Sequence, residues 1–154
     1  MPDKKAAIVI IGNEILSGKV TDTNTPFLTR ELRALGVAVE RITVIPDHVP
    51  MIAQTIREQV HQFDLIFTCG GIGPTHDDVT MEGIALGVGR PLVQHTGLIE
   101  RLHQNYGPTL NAAQRKMAEV PEGTELILAE ALQIPALHFG QIYIFPGIPE
   151  LVVR

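Results

Sequence analysis

Apolar positions along this chain alternate between unbroken runs and spaced stripes, the pattern left by strands and helices taking turns. Ala6-Ala7-Ile8-Val9-Ile10-Ile11 is a continuous apolar, largely β-branched run closed by Gly12. Such a run reads as a strand covered on both faces, and hence as part of a parallel sheet. Thr23-Asn24-Thr25-Pro26 then offers capping side chains and a first-turn proline, and Leu28, Leu32 and Leu35 follow at i, i+4 and i+7 before Gly36. That spacing predicts a helix with one buried face. Val37 to Ile45 reads as a second strand, Pro46-Asp47-His48 as a loop, and Pro50 as the opening of a helix that carries Ile52, Ile56, Val60 and Phe63 on its apolar side. Asp64-Leu65-Ile66-Phe67-Thr68-Cys69 is a third strand. It runs directly into Gly70-Gly71-Ile72-Gly73-Pro74-Thr75, with a further helix expected from near Thr80.

Beyond Gly89 the pattern is less regular. Thr96 to Tyr106 reads as a helix with Leu98, Leu102 and Tyr106 on one face, and Asn111 as the cap of a short helix through Met117. Pro121-Glu122-Gly123 breaks the chain. Residues 132–139 and 142–145, joined across Gly140-Gln141, read as a hairpin, and Phe145-Pro146-Gly147-Ile148-Pro149-Glu150-Leu151 as a turn entering one more helix. The whole predicts an α/β fold of three layers, α/β/α, with a mostly parallel open sheet and one antiparallel strand.

At 154 residues the chain is expected to form a single domain spanning 1–154. Twelve basic against seventeen acidic side chains give a net charge of −5. With no basic stripe to follow a phosphate backbone, nucleic acid is not an expected partner. No apolar run approaches the length of a membrane span and no cleavage pattern follows Met1, so a cytoplasmic location away from the membrane is expected. The lone Cys69 cannot form an internal disulfide; at a strand end it is expected to be a small buried hydrophobe.

In an open parallel sheet, ligands gather at the carboxyl ends of the strands. The three glycines after the third strand allow close backbone approach, so that successive N–H groups converge on an oxyanion. The turn is neither a P-loop nor a dinucleotide fingerprint. A strand-to-helix turn with no ligand fits the pattern as well. Thr75-His76-Asp77-Asp78 then places two carboxylates beside the candidate phosphate site, in a loop without lysine or arginine. A divalent cation, Mg²⁺ or a similar ion, held by Asp77 and Asp78 would reconcile the charges; capping of the helix at Thr80 by Asp78 is the plainer alternative. Gly12, Glu14, Asp22 and Asn24 after the first strand and Asp47 after the second are expected at the same edge, with helix capping as the other reading of Asp22 and Asn24. His76 is a conceivable proton carrier or simply a solvated surface residue. The remaining histidines show no metal-ligand spacing.

With these pieces in order, the sequence resembles the molybdopterin-binding fold of molybdenum-cofactor biosynthesis. It is most similar to the branch shared by the N-terminal domain of competence/damage-inducible protein A (CinA) and the molybdopterin-binding-like domain of FAD synthases. The resemblance is carried by Gly12-Asn13-Glu14-Ile15-Leu16-Ser17-Gly18 with Asp22-Thr23-Asn24, by Gly70 to Thr80, and by Phe145-Pro146-Gly147-Ile148-Pro149-Glu150-Leu151. It implies a pterin or nucleotide phosphate lying across the first and third strand ends, against Gly12, Glu14, Asp22, Asn24, Gly70, Gly71, Gly73, Pro74, Thr75, Pro146 and Gly147. It also implies catalytic roles for Asp47 and Asp78 and a homo-oligomer, dimer or trimer.

Three functions follow as expectations. The first is a pyrophosphatase, dependent on Mg²⁺ or Co²⁺, that cleaves ADP-ribose-like or FAD-like substrates. The second is a protein of molybdenum-cofactor assembly that binds molybdopterin or transfers an adenylyl group. The third is a nucleotide sensor without turnover. Cys69 departs from the small or hydroxyl residue usual in this branch. The ending from Pro146 has the FAD-synthase-type length, one residue shorter than in CinA. With no second catalytic domain after Arg154, FAD synthesis and nicotinamide-mononucleotide deamidation are not expected of the chain, which can also be a fragment.

Overall fold

A computed structural model describes residues 4–127 and 136–147. The first apolar run forms β1 (Lys5–Ile11), with Ala6 through Ile11 all buried. A single turn, α1 (Asn13–Leu16), precedes α2 (Asn24–Ala34), β2 (Ala38–Ile45), α3 (Val49–Gln59), β3 (Leu65–Cys69) and α4 (Thr80–Val88). The later part holds β4 (Leu92–Gln94), α5 (Thr96–Tyr106), α6 (Ala112–Lys116), β5 (Glu119–Pro121), β6 (Glu125–Ile127), β7 (Ala136–Phe139) and β8 (Ile142–Phe145).

Six strands form one sheet in the order β2-β1-β3-β8-β7-β6. β2, β1, β3 and β8 are parallel, and β7 is antiparallel to both neighbours, which is the mostly parallel α/β sheet with one reversed strand that the pattern predicts. Alternate residues of β1 serve opposite faces, as the pleat requires. Ala7, Val9 and Ile11 pack with Ile52 and Ile56 of α3, Ile84 of α4 and Leu98 and Leu102 of α5. Ala6, Ile8 and Ile10 pack with Leu28 and Leu32 of α2 and with Phe67. A run apolar at every position is thus explained by helices on both sides.

The structure differs from the sequence reading in several places. Leu35 is 77% exposed and Tyr106 52% exposed, although both continue an apolar stripe. Each lies at the end of its helix, where the chain has already left the sheet surface. β4 and β5 form a separate antiparallel pair that the irregular pattern beyond Gly89 does not announce. The hairpin is present as β7 and β8; its expected residues 132–135 and the helix expected after Gly147 lie outside the described residues. Asn111 caps α6 as expected, through a reciprocal capping box with Gln114. No helix among the described residues is long and apolar enough to cross a membrane.

Candidate functional site

Because β1, β2, β3 and β8 are parallel, the segments that follow them emerge at one edge. Cross-links between these segments fix that edge. The Gly12 amide donates to the Ile45 carbonyl at 3.0 Å, and the Gly70 amide to the Phe145 carbonyl at 3.1 Å. Asn13 and Asp47 exchange a pair of bonds: the Asn13 amide donates to Asp47 Oδ2 at 3.0 Å and the Asp47 amide to Asn13 Oδ1 at 3.1 Å.

The glycine-rich turn is held between the sheet and α4. Gly70 and Gly71 have φ of +101° and +71°, values that L side chains rarely adopt. A Cβ on Gly70 would run into the Ile11 carbonyl, and one on Gly71 into the Thr80 hydroxyl. Thr80 is fully buried; its hydroxyl donates to the Gly70 carbonyl at 2.8 Å and its amide to the Gly71 carbonyl at 3.0 Å. Further along, the Thr75 amide and hydroxyl both donate to Asp78 Oδ2, at 2.9 and 2.6 Å. Among the described residues, the amides of Gly71, Ile72 and Gly73 meet no acceptor. Three successive N–H groups are therefore available for an oxyanion.

Two cavities flank the turn. One is a cleft of about 460 Å³ whose walls are mainly apolar, with Met81, Leu92, Leu98, Leu102, Tyr106, Met117 and Leu137 facing Gly70 to Pro74, Pro146 and Gly147. The other, of about 410 Å³, is lined by Asn13, Glu14, Ser17, Lys19, Asp47, Gly71, Thr75, Asp77 and Asp78. Glu14, Gly71 and Asp78 belong to both. The carboxyl of Asp47 is pushed above the usual aspartate range, first by burial and then by the neighbouring charges of Glu14, Asp78 and Asp77, against a lowering bond from the Asn13 amide. The other three carboxylates thus all act on Asp47.

The structure accordingly brings Glu14, Asp47, Gly70, Gly71, Gly73, Pro74, Thr75, Asp77, Asp78, Pro146 and Gly147 around these two cavities. Gly12, Asp22 and Asn24 line neither. Asp22 instead caps α2: its Oδ1 accepts the amides of Asn24 and Thr25 at 3.0 and 3.1 Å, and its Oδ2 the Thr25 hydroxyl at 2.5 Å. Asn24 is buried, and its Oδ1 has no partner among the described residues. Asp78 does not cap α4, whose first turn receives no side-chain bond; it ties the turn together through Thr75. His76 is exposed and lines neither cavity. Cys69 is buried, and burial together with the Asp22 carboxylate pushes its thiol up to about 12, so it stays protonated at neutral pH.

One premise from the sequence is corrected. The loop itself contains no cation, but the fold brings two. Lys116 of α6 donates from Nζ to the Thr75 carbonyl at 2.5 Å, and Lys19 lines the acidic cavity. The carboxylates therefore do not stand alone. Sequence reasoning also passes over Asn13, Thr80, Arg101 and Lys116. Asn13 and Thr80 lie inside the segments already singled out, whereas Lys116 reaches the turn from 41 residues further along with no local signal.

Among the described residues no group of three or more His, Cys, Asp or Glu side chains is arranged to enclose a metal ion. A hard cation placed in the acidic cavity would therefore have to complete its shell with water and ligand oxygens.

Comparison with known proteins follows the same lines. The model of a family described as "Probable molybdopterin binding domain" matches residues 7–154. A CinA-like protein from Myxococcus xanthus is 34% identical over 153 residues, which cover 95% of this chain and 36% of that protein. A probable FAD synthase from Caenorhabditis elegans is 31% identical, covering 100% of this chain and 34% of its own length. The crystal structure of CinA from Thermoplasma acidophilum, titled as a protein of unknown function, superposes with a TM-score of 0.88 at 32% identity over 97% of this chain and 92% of that one. The chain spans 61% of the length of a curated relative from Archaeoglobus fulgidus and about a third of the length of the CinA-like protein and the FAD synthase.

Proposed function

The chain belongs to the molybdopterin-binding domain family, and on that premise we propose that it hydrolyses the phosphoanhydride of a dinucleotide such as ADP-ribose or FAD with the help of a divalent cation. The observation that carries this reading is the pairing of an apolar cleft and an acidic cavity across one glycine turn, with Glu14, Gly71 and Asp78 common to both. A ring in the cleft leads its phosphates onto the turn, and the second cavity presents carboxylates to whatever neutralises them. The CinA-like and FAD-synthase relatives support the same branch.

In this reading the amides of Gly71, Ile72 and Gly73 hold the oxyanion and stabilise charge as the anhydride breaks. Asp77 and Asp78 hold the cation, which would neutralise phosphate charge and lower the pKa of water. Asp47, whose carboxyl is raised above the usual range, would accept the proton as water adds to phosphorus. Hydrolysis of ADP-ribose yields AMP and ribose 5-phosphate; FAD yields AMP and FMN. Asp78 carries a second task, since its Oδ2 accepts two bonds from Thr75. Loss of turnover in Asp78→Asn therefore reports on the cation only if the turn survives, and Asp77→Asn is the cleaner probe.

The test is product analysis after incubation with ADP-ribose or FAD in Mg²⁺, Co²⁺ or chelator. AMP released only with metal, and lost in Asp77→Asn, is the expected result. No AMP from folded protein under any metal would sink the hydrolase and leave pterin binding in molybdenum-cofactor assembly as the better reading. Molybdopterin carried through purification would support that alternative directly.

A further inference from the structure

Two cations on the wall of the apolar cleft have no part in the reading above. Lys116, the last residue of α6, and Arg101 of α5 are half-buried and line the cleft. Among the described residues neither forms an ion pair. Lys116 donates from Nζ to a neutral group, the Thr75 carbonyl, at 2.5 Å, which leaves its charge free to meet an anion. That carbonyl belongs to the residue whose amide and hydroxyl are held by Asp78. The ammonium therefore rests on the turn itself, two residues past the Gly71 to Gly73 amides, which meet no acceptor among the described residues.

We propose that Lys116 is the residue that recognises a second phosphate, so that the site prefers diphosphate ligands to monophosphates. The inference rests on the reading that the glycine turn takes a phosphate. The first phosphate lies on the Gly71 to Gly73 amides. The second, in the cleft beside Glu14 and Asp78, would be repelled unless a positive group met it. Lys116 exchanges its bond to the Thr75 carbonyl for a charge-assisted bond to that phosphate, and its flexible four-carbon stem supplies the reach. Arg101 stands further along the same wall as a second positive charge. A monophosphate gains only the turn amides and leaves Lys116 where it is.

The test is calorimetric binding of ADP and of AMP in chelator to the wild type, Lys116→Met and Lys116→Gln, with the melting temperature of each variant recorded. Lys116→Met is expected to lose ADP affinity by about tenfold or more and AMP affinity by no more than about threefold, the former being the size of one charge-assisted bond. A residue that merely braced Thr75 would weaken both ligands equally, and that result in a folded variant overturns the proposal, as does unchanged ADP affinity. If neither variant folds, the wild type decides: ADP affinity must fall more steeply with added salt than AMP affinity, and parallel slopes overturn the proposal. The assay contains no metal and needs no turnover. An intact ADP preference without AMP release from ADP-ribose would therefore sink the hydrolase reading and leave this one standing.

Discussion

The two cavities beside the glycine turn are built from different parts of the chain. The acidic one draws on segments that follow β1, β2 and β3: Glu14 and Asp47 sit close behind β1 and β2, and Asp77 and Asp78 at the far end of the turn after β3. The apolar one is assembled from α4, α5, α6, β4 and β7, elements scattered from Met81 to Leu137. The first is set by backbone topology, since parallel strands deliver their trailing loops to one edge. The second exists only because helices pack over the sheet and leave a gap. The two cavities are therefore separable in origin, and Glu14, Gly71 and Asp78 belong to both.

The largest effect is expected where the two cavities meet. Gly70→Ala forces a side chain into the left-handed region and against the Ile11 carbonyl, at a cost of about 3 kcal/mol or more. For a chain of this size that lowers the melting temperature by roughly 10 °C, and both ring and phosphate binding should fall with it. An unchanged melt would mean that the turn is not the shared support. Thr80→Val removes the hydroxyl bond to Gly70 inside a fully buried site and is expected to cost about 1–2 kcal/mol. Urea unfolding measures it, and a neutral result would place the anchor of the turn elsewhere.

Tyr106→Ala separates the cavities. The side chain is half exposed, so stability should change by less than about 0.5 kcal/mol. Affinity for ring-bearing ligands should fall by up to about tenfold, while binding of inorganic pyrophosphate stays as it was. Equal loss for both would merge the two cavities into one.

The smallest effect belongs to the acidic side. The carboxyl of Asp47 is raised in the folded chain, so the folded state holds its proton to higher pH than the unfolded state does. Stability drawn from this group is thus lost as pH rises through the folded value. Asp47→Asn should be slightly more stable than wild type at neutral pH. The gap should narrow as pH falls and close below the ordinary aspartate value of 3.8, where the group is protonated in both states. A divalent cation on Asp77 and Asp78 should stabilise both proteins, and the wild type more, because it offsets the charges that act on Asp47, so the gap narrows at neutral pH. Denaturant titrations across pH, with and without Mg²⁺, read both, and a gap that widens toward acid would contradict the shared charge among these carboxylates.

Much of this arrangement was legible from residue order. The unbroken run from Ala6 to Ile11, the glycine-closed stripes and the capping signal at Asn111 carried the layers and the sheet, because buried strands and amphipathic helices write their environment into neighbouring positions. Glu14, Asp47, Asp77 and Asp78 could be placed at one edge for the same reason. That Gly12, Asp22 and Asn24 line neither cavity could not be read from order alone. A capping carboxylate and a ligand-binding one look alike until the amides of Asn24 and Thr25 are seen to occupy it.

The sequence by itself determined the strands and helices of the first two thirds of the chain, that the strands run mostly parallel, and that a glycine-rich turn lies at their carboxyl edge, since those features depend on neighbours within a few positions. Tertiary structure alone decided that Leu35 and Tyr106 stay at the surface, that Thr80 locks the turn and that Lys116 arrives beside Thr75. These depend on where a helix ends relative to the sheet and on contacts across tens of residues, and no local pattern encodes such distances.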